Sequence, residues 1–465
     1  MHAALKLDVV IVGAGLAGIA TAFRLSQAGH RVRVLDEHEM RERGRTAVHL
    51  PPNGARILVD WGFKGDLESR GHKIRYSMFR NMETGDMIGP QEWREDVMRE
   101  LGSDYYFMHY HDLYTMLYDA AINAGARIHP NTRAVNVQTN PPRVTLSDRT
   151  ILEADLIIGA DGSQSLVKRV MCGEGDVKPE GHTLFTGIIP TNLMKDDAEL
   201  ARMAETNRQE WQFWPGTSRH TDGVLMRNGT EFALHIHYPN EETLSHETDG
   251  WNDEPWRGPR PKAGNTKLQR LIDLCPEMHA QKLFTREAPE NWTDESGRLL
   301  LIGNAAHPVF PGWGYSCAIH LEDAEVLGTL LARISHASQL PTLLEGFQEL
   351  REPHLRFIRD TSWPRFFETV MLPPGPERDA RDAVLRRPHE GKTWDDSMLR
   401  RQFDTFVGAF GYNARDVAEN WWTTWGRLLR QRSRGTLHGA SGPMCSVPSF
   451  HVTMEEAVHV RASEL

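Results

Sequence analysis

Residues 7–36 read LDVVIVGAGLAGIATAFRLSQAGHRVRVLD. An apolar run leads into Gly13-Ala14-Gly15-Leu16-Ala17-Gly18, then a helical pattern, and then a second apolar run that ends at Asp36. Glycines at this spacing permit a tight turn and close approach of the backbone to a pyrophosphate, and an acid after the second strand can bind both ribose hydroxyls. Because strand, turn, helix, strand and acid occur in this order, the stretch predicts a βαβ unit that binds an ADP group.

The composition is that of a globular protein with enough chain to bury large cores. The chain has 465 residues, of which 40% are hydrophobic and 25% are charged, and its formal net charge is −10. We see no basic stripe, so nucleic acid is not an expected partner. The apolar runs fall far short of the roughly 20 residues that span a bilayer. The first strand begins by Leu7, which leaves no room for a signal peptide.

Four cysteines, Cys172, Cys275, Cys317 and Cys445, are scattered along the chain. Their positions match neither a metal site nor a disulfide framework. We therefore expect no bound metal and a reducing, cytoplasmic setting, with the protein a monomer or a homodimer.

Two further strand-turn-helix motifs follow. An apolar strand at 154–158 leads into GADGSQSLVK at 159–168, which on its own also fits a capped helix start with Asp161 or Ser163 as the N-cap. Residues 299–324, LLLIGNAAHPVFPGWGYSCAIHLEDA, read as a strand, a turn rich in glycine and proline, and a helix. The N-terminus of such a helix suits a phosphate or the electron-rich edge of a reduced flavin, although an ordinary corner has the same pattern.

In the rest of the chain, the sequence pattern changes from helical to strand-like and back to helical. Residues 104–124 read as a long helix, and residues from about 181 to 285 alternate as strands of a mostly antiparallel sheet suited to cover a pocket. From 320 onward the pattern is mainly helical, and residues 434–465 are polar.

The three motifs, GAGLAG, GADGSQSLVK and IGNAAHPVFPGWG, occur in the order that resembles the class A FAD-dependent aromatic monooxygenase family, in its salicylate hydroxylase-like branch. The resemblance implies an α/β fold: a Rossmann-like FAD-binding domain, an inserted mostly antiparallel β-sheet substrate domain, and a C-terminal helical region. We expect the FAD-binding domain at 1–75, 101–180 and 286–335, and the substrate domain at 76–100 and 181–285. The helical region would span 336–433, and the polar tail 434–465.

The resemblance also implies which residues hold FAD. Gly13, Gly15 and Gly18 would hold the pyrophosphate, and Asp36 the adenosine ribose. Asp161 and Gly162 would serve FAD and the passing NAD(P)H, Gly303 and Asn304 the ribityl region, and the helix that begins near Ser316 the edge of the flavin ring. Gly314 matches a glycine of the family and is also expected to contact the cofactor. Where the family has other residues, this chain has Arg45, Thr46, Ala47, Tyr110 in place of an arginine, Asn304, Tyr315, Ser316, Cys317 and Ala318.

In the family, NAD(P)H reduces FAD, and oxygen then forms a C4a-hydroperoxide that hydroxylates an electron-rich carbon. A base that deprotonates a phenol assists this step, and we expect His220 in that role. His235 and His237 share one face of a strand and are expected to line the pocket rather than to bind a metal. Trp214, Trp313 and Tyr315 are candidates for the pocket wall, although Trp214 fits core packing equally well, and His307 is expected to be structural.

These observations favour an FAD- and NAD(P)H-dependent monooxygenase that uses oxygen to hydroxylate or oxidatively rearrange a phenolic or polycyclic, secondary-metabolite-like substrate. The altered flavin loops leave open a cyclase, isomerase or oxidase on the same fold. A protein-binding relative without flavin is disfavoured, because GAGLAG and Asp36 are intact.

Overall fold

The computed structural model describes residues 2–39, 44, 46–240, 254–310, 314–362, 370–389, 404, 407–408 and 410–426. Arg45, Trp313 and the polar tail at 434–465 lie outside the described residues, so the predictions made for them stay predictions.

The strands, numbered in chain order, are β1 (Asp8–Val12), β2 (Arg31–Leu35), β3 (Ala47–Leu50), β4 (His72–Ile74), β5 (Tyr76–Arg80), β6 (Met87–Glu92), β7 (Tyr105–His109), β8 (Arg127–His129), β9 (Ala134–Thr139), β10 (Pro142–Leu146), β11 (Ile151–Glu153), β12 (Leu156–Gly159), β13 (Val177–Pro190), β14 (Glu210–Gly216), β15 (Arg219–Met226), β16 (Glu231–Pro239), β17 (Met278–Arg286) and β18 (Leu299–Leu301). The α-helices are α1 (Leu16–Gln27), α2 (Pro52–Asp60), α3 (Lys64–Arg70), α4 (Glu95–Glu100), α5 (Tyr110–Asn123), α6 (Leu166–Cys172), α7 (Ala198–Met203), α8 (Thr266–Leu274), α9 (Ser316–Leu331), α10 (Leu340–Phe357), α11 (Pro376–His389) and α12 (Ala414–Trp421).

A five-stranded parallel sheet, in the order β18-β12-β1-β2-β8, forms the centre of the first half of the fold. Its central strands are runs of Val, Ile and Leu that are buried on both faces, as expected for a parallel sheet that helices cover. The carboxyl ends of β1, β12 and β18 are neighbours. The three glycine-containing motifs that follow these strands therefore lie side by side.

A seven-stranded sheet, in the order β17-β13-β16-β15-β14-β5-β6, forms the second half. Every neighbouring pair is antiparallel except β14 and β5, so the mostly antiparallel inserted sheet that we predicted is confirmed. A three-stranded sheet, β3-β7-β4, lies between the two halves. The predicted helix at 104–124 is wrong in its first turn, because Tyr105–His109 is the central strand of this small sheet and α5 begins only at Tyr110. Aromatic residues suit a paired strand better than an isolated helix turn.

The two faces of the seven-stranded sheet have different partners. Because side chains alternate along a strand, Trp214, Leu225 and Ile236 share a core with α7 and α8 on what we call the outer face. Trp211 and Phe213 belong to the inner face, which shares a core with β3 and β7.

The C-terminal helices contact both halves. α10 and α12 pack against α9, while α11 packs on β6, where a Cβ added at Gly89 would lie 1.8 Å from the carbonyl oxygen of Leu385. In the part of the chain that the structure describes, no helix is long and apolar enough to cross a membrane.

Candidate active site

The GAGLAG loop joins β1 to α1, and its three glycines have different surroundings. Gly13 has a φ of +102°, and a Cβ there would lie 2.3 Å from the carbonyl oxygen of Ala160. A Cβ at Gly18 would lie 2.1 Å from the carbonyl oxygen of Gly13. A Cβ at Gly15 would meet nothing within 4 Å, and Gly15 is the N-cap of α1 without a side-chain cap. Open space before uncapped helix N–H groups fits the pyrophosphate of FAD.

Asp36 connects the end of β2 to this loop. Its Oδ2 accepts a hydrogen bond from the Ala14 N–H at 2.7 Å, and its Oδ1 accepts one from the His38 N–H at 2.9 Å. A carboxylate has about four lone-pair positions, so two further hydrogen bonds to ribose hydroxyls remain possible. The position of Asp36 beside the glycine loop is the one that the resemblance implies.

Tyr110, the first residue of α5, stands where the resemblance leads us to expect an arginine. Its ring stacks on Tyr114 at 6.0 Å, and the Tyr114 hydroxyl donates to the carbonyl oxygen of Ala14 at 2.9 Å. A Cβ at Gly44 would collide with the Tyr110 ring. Tyr110 therefore packs an aromatic surface near the glycine loop, where an arginine would have placed a positive charge.

Asp161 stabilises the start of α6. Its Oδ2 accepts from the N–H groups of Leu166 at 2.8 Å and Val167 at 3.3 Å, while Ser165 is the N-cap and accepts from the Lys168 N–H at 2.9 Å. The buried Oδ1 of Asp161 has no hydrogen-bond partner among the described residues, and burial raises the pKa of this carboxyl. Asp161 thus supports the helix and also leaves one oxygen available to a ligand.

Gly162 follows with a φ of +76°, and a Cβ there would meet nothing within 4 Å. The space beside this turn fits close approach of a cofactor to the backbone.

The loop after β18 has a similar free acceptor. Gly303 has a φ of +57°, and its N–H donates to Asp323 Oδ2 at 2.9 Å. The next residue, Asn304, has a buried Oδ1 without a hydrogen-bond partner in the described structure. Buried carbonyl oxygens are normally satisfied, so this amide fits a hydroxyl of the ribityl chain even though it lacks the charge of an aspartate.

A fully buried ion network lies behind this loop. Asp323 Oδ2 is 2.6 Å from His307 Nε2, and Asp323 Oδ1 is 2.9 Å from Arg351 Nε. The other side of the guanidinium is 2.8 Å from Glu322 Oε2, and the Glu322 Oε1 accepts from Asn53 Nδ2 at 2.7 Å. Burial raises the pKa of Asp323, but the charges of its partners outweigh burial and hold this pKa below its ordinary value. His307 therefore supports the loop, as we expected.

The N-terminus of α9 faces the inner side of the seven-stranded sheet. Tyr315 is the N-cap, and its side chain forms no capping hydrogen bond. A Cβ at Gly314 would lie 3.5 Å from the Tyr105 hydroxyl and 3.7 Å from His49 Nδ1. Ser316 begins the helix, and burial raises the pKa of the Cys317 thiol to about 12, so Cys317 is an unreactive packing residue.

Four polar side chains form a group on the inner face, and His49 of β3 joins them. His220 lies opposite His237, and Asp222 lies opposite His235, in the register of β15 and β16. The His220 and His237 rings stack at 4.1 Å, and the His49 and His235 rings stack at 6.1 Å. All five residues are buried. We call this group the histidine cluster.

Hydrogen bonds order one side of the histidine cluster. Asp222 Oδ2 accepts from Trp211 Nε1 at 3.0 Å and from His235 Nδ1 at 3.2 Å. Because Nδ1 then carries the proton, His235 Nε2 accepts from the Thr46 hydroxyl at 2.8 Å. The Tyr105 hydroxyl is 2.8 Å from His49 Nδ1. The result is a chain from Thr46 through His235 to Asp222.

The charges within the cluster are unequal. Burial lowers the pKa of His49 and of His237 to about 3 and that of His220 well below its ordinary value, so these three imidazoles are neutral at neutral pH. Burial raises the pKa of Asp222, but its interaction with His235 and the hydrogen bond from Trp211 outweigh burial and hold this pKa below its ordinary value. Asp222 is therefore a buried carboxylate in the same cluster as the neutral rings of His49, His220 and His237.

His49, Asp222 and His235 could each offer a ligand atom within 4.8 Å of the others. Both ring nitrogens of His235 are already used in hydrogen bonds, and His49 Nδ1 is hydrogen-bonded to Tyr105. We therefore interpret these residues as a hydrogen-bond network rather than as a metal centre.

The structure separates the other predicted pocket residues. Trp214 is completely buried in the core of the outer face, away from the histidine cluster, so core packing is the reading that the structure supports. The Tyr315 ring stacks on Phe410 at 5.2 Å and packs against the inner-face core. Ala47 is buried in β3 opposite His109.

Sequence reasoning missed His49, Tyr105 and Asp222. Asp222 had a usable signal, since it lies two residues after His220 and so shares its strand face. His49 and Tyr105 had none, because they come from a different sheet.

Comparison with known proteins agrees with this geometry. The family model described as FAD binding domain matches residues 6–362. FAD-dependent monooxygenase OpS4 of Beauveria bassiana (strain ARSEF 2860) is 25% identical over 424 residues, which cover 89% of this chain and 97% of that protein. 3-Amino-4-hydroxybenzoate 2-monooxygenase PtmB3 of Streptomyces platensis is 28% identical over 423 residues, which cover 88% and 97%. The crystal structure of CtdE in complex with FAD and substrate 4 matches with a TM-score of 0.72 and 16% identity, and the match covers 91% of this chain and 100% of that one.

The chain belongs to the FAD binding domain family. It is an FAD-dependent monooxygenase of the aromatic-hydroxylase class, and the resemblance drawn from its three motifs is confirmed, as is FAD as its cofactor.

Proposed function

We propose that this enzyme uses NAD(P)H and oxygen to hydroxylate or oxidatively rearrange a phenolic or polycyclic substrate held between the N-terminus of α9 and the histidine cluster. The observation that carries the proposal is the position of Gly314, because a Cβ added there would be in van der Waals contact with the His49 and Tyr105 pair. The helix that the resemblance places at the flavin edge and the polar cluster of the inner face thus adjoin the same space.

FAD, when bound, would supply the chemistry that takes electrons from NAD(P)H and activates oxygen. The chain's own residues bind it: the α1 N-terminus at Gly15 would hold the pyrophosphate, Asp36 the ribose, and the free oxygens of Asp161 and Asn304 its hydroxyl groups. The N-terminus of α9, which begins at Ser316, would stabilise negative charge placed beside it.

Aromatic residues keep water from the reaction space. Tyr105, Trp211 and Phe107 form one buried group on the inner face, and Tyr315 and Phe410 adjoin it. In such a site of low polarity, each hydrogen bond to the substrate contributes more than it would in water.

Two histidines are candidates for the group that takes the phenol proton. The assignment of His220 stays a prediction, although its stacking between Phe213 and His237 and its lowered pKa make it a weak base. His235 is the better-supported candidate, because Asp222 orients its ring and stabilises the positive charge that forms when Nε2 takes a proton through the Thr46 hydroxyl. A base aligned in this way contributes about 10²–10⁴-fold to a rate.

We further propose a cytoplasmic enzyme that acts as a monomer or a homodimer. Three cysteines among the described residues, Cys172, Cys275 and Cys317, are free thiols, which supports a reducing compartment.

The test is a flavin spectrum of the purified protein with NADPH, with and without a panel of phenols. We expect a yellow protein that bleaches with NADPH faster when a suitable phenol is present and that incorporates one atom from ¹⁸O₂ into the product. Conversion of substrate without NADPH or oxygen would overturn the proposal in favour of a cyclase or isomerase.

A further inference from the structure

The histidine cluster also bears on which phenols the enzyme accepts. Along β13 to β16, the strand positions that share the face of His235 carry aromatic, aliphatic, threonine, histidine and acidic residues. Across residues 184–188, 211–215, 220–226 and 231–237 of these described strands, no lysine or arginine occupies that face. Asp222, by contrast, is at the centre of the face and is 3% exposed.

The hydrogen bonds of the histidine cluster indicate which kind of ligand atom it could bind. His49 Nε2 and His237 Nδ1 are buried, and neither has a hydrogen-bond partner in the described structure. Asp222 receives the protons of Trp211 and His235. A neutral imidazole nitrogen that lacks a proton accepts, and the carboxylate only accepts. The carboxylate of Asp222 therefore favours a ligand that donates a hydrogen bond.

The negative charge of Asp222 disfavours the binding of an anionic ligand. If a ligand carboxylate lies about 6 Å from Asp222, at an effective dielectric constant of about 20, the ligand binds roughly 100-fold more weakly than one with a neutral group of the same shape. Protonation of His49, His220 or His237 would offset this repulsion only at a cost, because burial lowers the pKa of each of these rings.

We propose that the pocket takes an uncharged arene that carries hydroxyl or amino groups, and that Asp222 excludes aryl carboxylates. This inference rests on the proposed function, because it takes the histidine cluster as the substrate site. It separates this chain from a relative such as PtmB3, whose name specifies a hydroxybenzoate.

The experiment measures binding to the FAD-loaded enzyme by calorimetry at pH 7.5, without NADPH, for three amide and acid pairs. These are salicylamide and salicylate, 4-hydroxybenzamide and 4-hydroxybenzoate, and the amide and acid of 3-amino-4-hydroxybenzoate. The wild-type enzyme should bind at least one amide roughly 100-fold more tightly than its acid. Binding of the acids as tightly as the amides, or of no amide at all, would overturn the proposal.

Three variants identify the residue responsible. Asp222→Asn should reduce the ratio of amide to acid affinity to within about threefold, whereas Asp222→Glu, which keeps the charge, should retain it. Glu92→Gln, at the exposed end of β6, is the matched control and should leave the ratio unchanged. An unchanged ratio in Asp222→Asn would remove Asp222 from this role, and the wild-type comparison stands even where a variant does not fold. Failure of the proposed function would give a different result, because the enzyme would bind the amides selectively but would form no oxygen-dependent product.

Discussion

Gly15 and Gly18 lie three residues apart at the start of α1, yet alanine at each should have opposite consequences. A methyl group at Gly15 meets no protein atom within 4 Å, whereas one at Gly18 would lie 2.1 Å from the carbonyl oxygen of Gly13. Gly15 has a φ of −64°, which alanine adopts readily. Gly15→Ala should therefore fold normally and bind FAD poorly, and Gly18→Ala should lose stability even without FAD.

The magnitudes follow from these two environments. An ordinary carbon–oxygen contact is more than 1 Å longer than the one at Gly18, so α1 or the loop must shift, and such overpacking costs about 1–3 kcal/mol. At Gly15 the methyl group displaces a phosphate from helix N–H groups, and each charge-assisted hydrogen bond is worth about 1.5–3 kcal/mol. The loss of one such bond weakens FAD binding roughly 10- to 150-fold.

The assay separates stability from affinity. Urea unfolding of the FAD-free variants reports stability, and titration of the same preparations with FAD, followed by flavin fluorescence, reports affinity. We expect the free energy of unfolding of Gly15→Ala to lie within about 0.5 kcal/mol of the wild-type value, and its affinity for FAD to be strongly reduced. Wild-type FAD affinity in Gly15→Ala, or wild-type stability in Gly18→Ala, would refute the assignment of these glycines.

Further outcomes concern the buried network and the base. Arg351→Met leaves two carboxylates buried without their cation and should cost about 3–5 kcal/mol in urea unfolding, while Arg356→Met, at an exposed pair, should cost less than about 1 kcal/mol. The folded pKa of Asp323 lies below its ordinary value of 3.8, so its stabilisation is present above that pH and lost as the pH falls further. In Arg351→Met the free energy of unfolding should therefore fall less steeply below pH 3.8, or should rise. An unchanged dependence on pH would contradict the role of the Arg351 and Asp323 pair. For the base, His235→Ala should lower kcat about 10²–10⁴-fold with normal flavin content, and His220→Ala should lower it less; the reverse order would reinstate His220.

The cofactor half of the site could be read from the sequence because its signals are local. Each glycine-containing motif follows its own strand and precedes its own helix within about 30 residues, and the conformation of such a turn depends on glycine at specific positions. Gly13, Asp36 and Asp161 consequently follow the ends of neighbouring strands, and their contacts with FAD stay predictions. The limit of local signals appears at Tyr105–His109, whose pairing with β3 and β4 overrides the helical pattern that extends from α5.

The histidine cluster, which we propose as the substrate site, depends on tertiary structure. The strand alternation placed His235 and His237 on one face, but it could not say that His220 and Asp222 would pair with them, since register depends on the neighbouring strand. His49 and Tyr105 arrive from another sheet, more than 100 residues away from Asp222 in the chain. Whether Trp214 lines the pocket or fills a core likewise depends on which side of the sheet α7 and α8 cover. Sequence periodicity determines which residues share a face; only the packing of separate sheets determines what that face meets.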